Sequence, residues 1–316
     1  MIKVERCSDA LWDELARRDA TCTFFQTRAW HSLVAPYAGG APFPLRFECA
    51  GGQAVLPLLR CGRLLWDFHR SPFGTYTALL CPDKLPAGDL HGISRWLGKR
   101  NVELFSPPHT SNPTPMGSRS PNATYVVDLA GLAGDPAAGW AENQKRHLGK
   151  ASRSGITVRL AASEADVEGY LGIYAAVRAR WGGRARGRYP DSLFHSIWRG
   201  LKDGDSLRFW LAEAEGRIVG GYICFYHNRH AVQWQNAVHP DRFASGANQS
   251  LLRRIIGDAA ERGFPQFDMN PSGGLEGVEN FKRSFGTRRI EFENYASLSR
   301  GYALMRGLKS LLGRRP

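Results

Sequence analysis

The sequence predicts a mixed α+β protein of two domains, and three observations carry that expectation. Helical and strand patterns alternate along the chain instead of segregating. Three strands, over 206–213, 217–226 and 230–238, are joined by turns at Glu215-Gly216 and Asn228-Arg229 tight enough to make them an antiparallel meander. At 316 residues with 43% hydrophobic side chains, the chain has the length of two ordinary domains and the apolar content to fill their cores.

Each element follows in order. Ser8 is placed to cap a helix carrying Leu11, Leu15 and Ala16, and Thr27 one through Trp30 and Leu33. Strands at 44–49 and 54–60 flank the Gly51-Gly52 turn. The stretch 106–123, rich in Pro, Ser and Asn, reads as a long surface loop, and Thr124 to Leu129 as a strand. Residues 135–153 read as a helix, with Asp135 as cap, Pro136 in the first turn and a basic C-terminal end. Ile156 to Leu160 is a strand, followed by a helix over 163–180 capped by Ser163. The meander feeds a helix at 246–262 whose Leu251, Leu252, Ile255, Ile256, Ala259 and Ala260 share one face, and Pro265 to Met269 gives one more strand. The tail 297–316 reads as a basic amphipathic helix: Leu304, Met305, Leu308, Leu311 and Leu312 recur at helical spacing, flanked by Arg306, Lys309, Arg314 and Arg315.

Charge narrows the partners. Residues 1–130 carry 14 basic and 11 acidic side chains, while 145–188 alone carry ten against three. Such a field concentrates anions: nucleic acid, nucleotide-linked substrates or an anionic membrane surface, unless it is only a solvated face. The longest apolar runs, such as Ala54 to Leu59, stop well short of the roughly 18 residues that span a membrane. The acidic start lacks the pattern of a signal peptide, which leads us to expect a cytoplasmic protein. Six scattered cysteines form no CxxC pair and no metal-ligand spacing, so no metal is expected. His147, His195, His227, His230 and His239 form no recognisable triad with Ser and Asp.

A three-stranded meander, a helix opening at Ser245-Gly246-Ala247 and a further strand is an order that resembles the core of the GNAT acyltransferases. In that fold the helix N-terminus would hold an acyl donor's pyrophosphate on free N–H groups. The usual signature is Q/R-x-x-G-x-G/A; here the glycine comes one place late and the second is replaced. Arg242, Gly246, Ala247 and Asn248 are the candidate donor-binding residues, and an ordinary helix N-cap accounts for the same run equally well.

A longer resemblance covers 135–290. Trp140 leads a basic run through Lys145, Arg146, His147, Lys150 and Arg153 to Gly155, with the K-A-x-R-x-G turn and following strand of the FemAB-like family. Phe267-Asp268, then Gly273-Gly274 and Gly277, then Phe281-Lys282-Arg283-Ser284-Phe285-Gly286 is similar to that family's (F/Y)-D strand end and G…FK-x-x-FG. The first 130 residues match more loosely, through Phe25, Gln26 and Trp30 and through Ser71 to Gly74.

The resemblance implies two tandem GNAT-like domains, each a mostly antiparallel central sheet flanked by helices. The first would span 1–128, joined by the tail helix 297–316, and the catalytic one 129–296. It implies an acyltransferase moving an acyl or aminoacyl group onto an amine of a cell-envelope precursor, of peptidoglycan or exopolysaccharide type, by direct attack. Acyl-CoA or aminoacyl-tRNA would be the donor substrate, with no permanently bound cofactor, and the tail allows peripheral contact with the inner membrane. Two other readings stay open: acetyl-CoA-dependent N-acetylation of a sugar amine, and a non-catalytic module that binds RNA or a membrane surface.

Acyl transfer to an amine passes through a tetrahedral oxyanion, which a fixed cation stabilises. Lys282, pinned between Phe281 and Phe285, is the candidate, and the family's matching lysine has that role or donor binding; a surface Lys between two core Phe residues is the plainer alternative. Asp268 could accept a proton from the amine or cap the loop that follows it. Tyr222, Cys224 and Tyr226 alternate on one strand face, and Val232, Trp234 and Asn236 on the next. Tyr226 is the candidate acid for the leaving group. Arg146, Lys150, Arg178, Trp234 and Phe281 are the candidate substrate-binding residues.

Overall fold

The computed structural model describes residues 2–62, 67–132, 134–181 and 189–311, of which 181 and 308–311 are described by their backbone alone. The basic run 178–188 therefore lies mostly outside the described residues. The chain divides into two compact units, Met1–Asn122 with Glu291–Pro316, and Ala123–Ile290.

In the first unit, β1 (Lys3–Arg6) precedes α1 (Asp9–Arg18), whose Ser8 cap accepts from the Leu11 N–H. Thr27 does the same for the Trp30 N–H at the head of α2 (Arg28–Ala38). There follow β2 (Ala41–Pro42), β3 (Leu45–Cys49), β4 (Gly52–Leu56), β5 (Leu59–Cys61), β6 (Phe68–Arg70), α3 (Ala87–Leu97) and β7 (Asn101–Phe105). The strand expected over 54–60 is broken at Pro57, which has no N–H for a ladder, and its halves β4 and β5 enter different sheets.

The loop expected over 106–123 gives way at Ser118 to β8 (Ser118–Asp128). The helix expected from 135 begins later, as α4 (Glu142–Arg153) with Ala141 as its N-cap. Asp135 instead accepts from the Ala137 N–H and pairs with Arg253 at 2.8 Å, so its carboxylate closes a turn. The second unit continues with β9 (Thr157–Leu160), α5 (Glu164–Trp181), α6 (Asp191–Leu201), β10 (Leu207–Ala214), β11 (Arg217–His227), β12 (His230–Val238), α7 (Ala247–Glu261), β13 (Gln266–Asp268) and α8 (Glu276–Arg283). The chain then makes β14 (Arg288–Ser297) and the tail helix α9 (Arg300–Leu311), most of whose residues belong to the first unit.

The first unit holds a three-stranded sheet, β1-β3-β4, and the run β2-β5-β6-β7-β14, antiparallel except between β6 and β7. Phe47, Leu56, Ile93, Leu97 and Val102 belong to one apolar cluster of this unit. On α9, Tyr302 stacks on Phe68 with ring centroids 4.9 Å apart and Arg306 pairs with Glu103, while Leu304 stands 68% exposed.

The second unit is the sheet β8-β13-β12-β11-β10-β9, antiparallel except between β12 and β13. Helix α7 packs Leu251, Leu252, Ile255 and Ile256 onto the face that carries Tyr222, Cys224 and Tyr226. Burying each such aliphatic side chain contributes about 1.5–3 kcal/mol. Tyr170 and Tyr174 of α5 and Phe194 of α6 form a ring cluster with Phe209 and Trp234. Both units are thus α+β, with mostly antiparallel sheets. Among the described residues no helix is long and apolar enough to cross a membrane.

Candidate functional site

The site grows out of a mismatch between two strands. β12 pairs with the short β13 only at Ala231–Phe267 and Val232–Asp268, yet runs on to Val238. Beyond Val232 the β13-facing edge of β12 has no strand partner among the described residues, and a pocket of about 580 Å³ is lined there by Gln233, Asn236, Ala237 and Val238. Val177, Tyr222, Asn248, Met269 and the first turns of α8 complete its wall, and the exposed Phe243 and Leu275 stand at its rim.

A β-bulge sets which side chains face this space. Ile223 pairs with Gln235 and Cys224 with Gln233, so Trp234 is the extra residue. The alternation expected for Val232, Trp234 and Asn236 is therefore interrupted. Asn236 and Gln233 share the pocket face with Tyr222, while Trp234 packs with Tyr189, Phe194 and Phe225 away from the pocket. As a candidate substrate contact Trp234 is corrected to a core residue.

Lys282 lies in the pocket wall at 5% exposure. Its Nζ donates to the Asn270 carbonyl at 2.6 Å and stands 5.9 Å from the Tyr125 ring centre. Burial pulls its pKa down to about 8, opposed by the Asp268 and Glu279 carboxylates. The ammonium is thus held and only thinly solvated, on the same wall as Phe281.

Asp268 is 2% exposed and does not line the pocket. Its Oδ1 accepts from the Thr124 hydroxyl and from the Asn270 N–H at 2.7 Å. The proton-accepting role is corrected to a positioning one, since both bonds serve to hold the turn that presents the Asn270 carbonyl to Lys282. Tyr226 is also corrected. It is 2% exposed at the C-terminal end of α7, under the Arg262 guanidinium and against Phe264. Burial raises its pKa well above the ordinary value. On that strand face it is Tyr222 that reaches the pocket.

Of the four donor-binding candidates, only Asn248 lines the pocket. Arg242 pairs with Glu215 at 3.2 Å. Gly246 has φ +87°, and a Cβ there would lie 2.1 Å from the His147 carbonyl, so the glycine is required by the close approach of α4. Ala247 is fully buried and its N–H donates to Ser245 Oγ at 3.3 Å. The residues before α7 form a 3-10 helix over Pro240–Ser245. These facts favour the helix N-cap reading over an open phosphate cradle at Arg242, Gly246 and Ala247.

Arg146 and Lys150 are exposed one turn apart on α4, outside the pocket. Arg178 lies 3.7 Å from Asp191 and over the Tyr174 ring, also outside it. Sequence reasoning missed Gln233, Asn236 and Asn270. The first two depend on the bulge, and the third on a backbone carbonyl. Among the described residues no group of three His, Cys, Asp or Glu is placed to hold a metal.

Residues 141–283 match the family model of the acetyltransferase (GNAT) domain. No curated protein matches the sequence. Among solved structures the chain is similar to FemX, at 10% identity and TM-score 0.69, over 98% of this chain and 99% of that one. It is similar to the C-terminal domain of a candidate lysylphosphatidylglycerol synthetase from Agrobacterium fabrum, at 13% identity and TM-score 0.58, over 96% and 97%. L-PGS from Bacillus licheniformis follows at 14% identity and TM-score 0.51, over 86% and 90%. At these identities the likeness is one of fold. Residues 141–283, which match the acetyltransferase (GNAT) domain model, hold Lys282 and every residue of its pocket, and the chain as a whole shares the fold of FemX.

Proposed function

We propose that the chain transfers an acyl or aminoacyl group to an amine of a cell-envelope precursor by direct attack, with Lys282 at the reacting carbonyl. The observation that carries this is a buried, thinly solvated ammonium held by Asn270 in the wall of a largely apolar pocket, where a fixed charge acts most strongly. The amine lone pair would form the C–N bond while the carbonyl electron pair moves onto oxygen beside Lys282. Collapse then breaks the bond to the donor's sulfur or oxygen, which leaves with its electrons and takes a proton. The nitrogen loses one to solvent.

Either acyl-CoA or aminoacyl-tRNA fits as donor substrate. The exposed basic residues of α4 suit the polyanion, and the GNAT domain match suits the thioester. The Agrobacterium protein's name joins lysine to a lipid, which supports aminoacyl transfer and an acceptor at a membrane surface. The experiment is direct. Each donor class is tested for raising the melting temperature, since a ligand of the native state stabilises it by mass action. Amide products with envelope-precursor amines are then sought by mass spectrometry. Absence of a shift and of an amide with both donor classes would remove this reading.

A further inference from the structure

One face of α8 leads from solvent to the reacting centre. Leu275, the residue before the helix, and then Val278 and Lys282 follow at i, i+3 and i+7, the spacing of a single helical stripe, and all three line the pocket. Leu275 is 44% exposed and Lys282 only 5%, so the stripe runs about 10 Å along the helix from an open apolar end to the buried ammonium. Phe243, 39% exposed with the Arg180 guanidinium 5.2 Å from its ring centre, lines the same pocket. Among the described residues three large hydrophobic side chains are exposed, and two of them are Phe243 and Leu275. Scattered singly, such side chains need no explanation; together at the mouth of one apolar pocket they mark the path of an apolar group.

Charge inside the pocket has one sign. Asp268 does not line it, and the Glu279 carboxylate, also outside it, is taken up by the Tyr125 hydroxyl at 2.7 Å and by Arg283 at 3.3 Å. Glu276, the one carboxylate among the lining residues, is exposed and lies six residues, about 9 Å of helix, from Lys282. An aminoacyl group carries its ammonium on the carbon next to the carbonyl. A carbonyl attended by Lys282 would therefore bring that ammonium toward a like charge in an apolar setting, where repulsion is least screened. A hydrocarbon acyl group meets no such cost.

We propose that the transferred group is an uncharged aliphatic acyl chain, with its carbonyl at Lys282 and its tail following Val278 to Leu275 and Phe243. The proposal rests on the acyl-transfer reading of the pocket and selects among its donors. The stripe starts at the lysine that attends the carbonyl, which places the chain on the acyl group and not on the acceptor.

The probes carry no CoA or tRNA: octanoate, butanoate, 2-aminooctanoate and octylamine, each titrated into the full chain by calorimetry at neutral pH. A methylene taken out of water is worth about fourfold in affinity, so octanoate should bind roughly 100-fold tighter than butanoate. It should bind about tenfold or more tighter than 2-aminooctanoate, which adds the aminoacyl ammonium to the same chain, and than octylamine, which puts that chain on an amine. Leu275→Ser and Phe243→Ser, at exposed positions, should each lower the octanoate-to-butanoate affinity ratio about fourfold or more, and a ratio taken within one protein is not moved by partial loss of folded chain. No octanoate binding, equal affinity for octanoate and butanoate, octanoate no tighter than 2-aminooctanoate or octylamine, or a ratio unchanged in both variants overturns the proposal. Binding of these probes needs neither a donor carrier nor turnover, so failure to form an amide with every donor would count against the acyl-transfer reading and register separately.

Discussion

Asn270 holds Lys282 through its backbone oxygen at 2.6 Å, and does so from a left-handed backbone conformation with φ +62°. Asparagine tolerates that region and a β-branched residue does not. Asn270→Gly should keep the carbonyl in place and retain most of the acyl-transfer rate, whereas Asn270→Val should lower both the rate and the melting temperature. Equal rates in the two variants would show that this carbonyl does not set the lysine.

Lys282→Ala should cut turnover roughly 100-fold or more, the usual loss for one oxyanion-stabilising group. Donor binding, read from the melting-temperature shift, should change little. A variant with wild-type turnover would remove Lys282 from the chemistry.

The pH dependence has two parts. As the pH rises through about 8, Lys282 loses its proton and the rate should fall. Lys282→Arg, charged throughout, should lose that descending limb. Stability should move the other way. Between about 8 and the ordinary lysine value of 10.5 the unfolded chain binds more protons at this group than the folded one, so its contribution to stability rises with pH there and is flat below. A titration of melting temperature on wild type and Lys282→Met isolates the effect.

Arg146, Lys150 and Arg153 are exposed on α4. If this face meets a polyanionic donor, RNA binding should fall steeply with salt, with a log–log slope of several units. Reversing Arg146 and Lys150 to Glu should flatten it. A shallow slope for the wild type would identify a solvated face.

On the tail, Tyr302 and Arg306 are engaged by Phe68 and Glu103 while Leu304 points outward. Full-length protein should co-sediment with anionic liposomes better than a chain ending at Ser299. Equal sedimentation, or none by either, would sink the membrane contact. Leu308, Leu311 and Leu312 complete the stripe in the sequence, with side chains outside the described residues.

The fold of the second unit was readable because its signals are local. Turn residues at Glu215-Gly216 and Asn228-Arg229 made the meander, and the periodicity of α7 made its packing face. Lys282 was readable from its motif. Gln233 and Asn236 were not, because a bulge at Trp234 changes which face a residue takes, and strict alternation cannot show it. Asp135 was read as a helix cap because Asp before Pro suits one. Its bond to Arg253 is a distant contact that no local pattern contains. Neither α6 nor β14 was anticipated, and the latter pairs with β7 across most of the sequence.

That pairing has a consequence for synthesis on the ribosome. β7 is made early, but its antiparallel partner Asn294–Ser297 comes only after the whole of 123–290 has been translated. The second unit is contiguous and can close as soon as it emerges, while the first waits with one edge of β7 open. An unpaired edge is a template for wrong pairing. Nascent chains stalled shortly before residue 290 should therefore lean on chaperones more than those released a few residues after Ser297, and the late arrival of one strand, more than the chemistry of the pocket, would decide the yield of native protein.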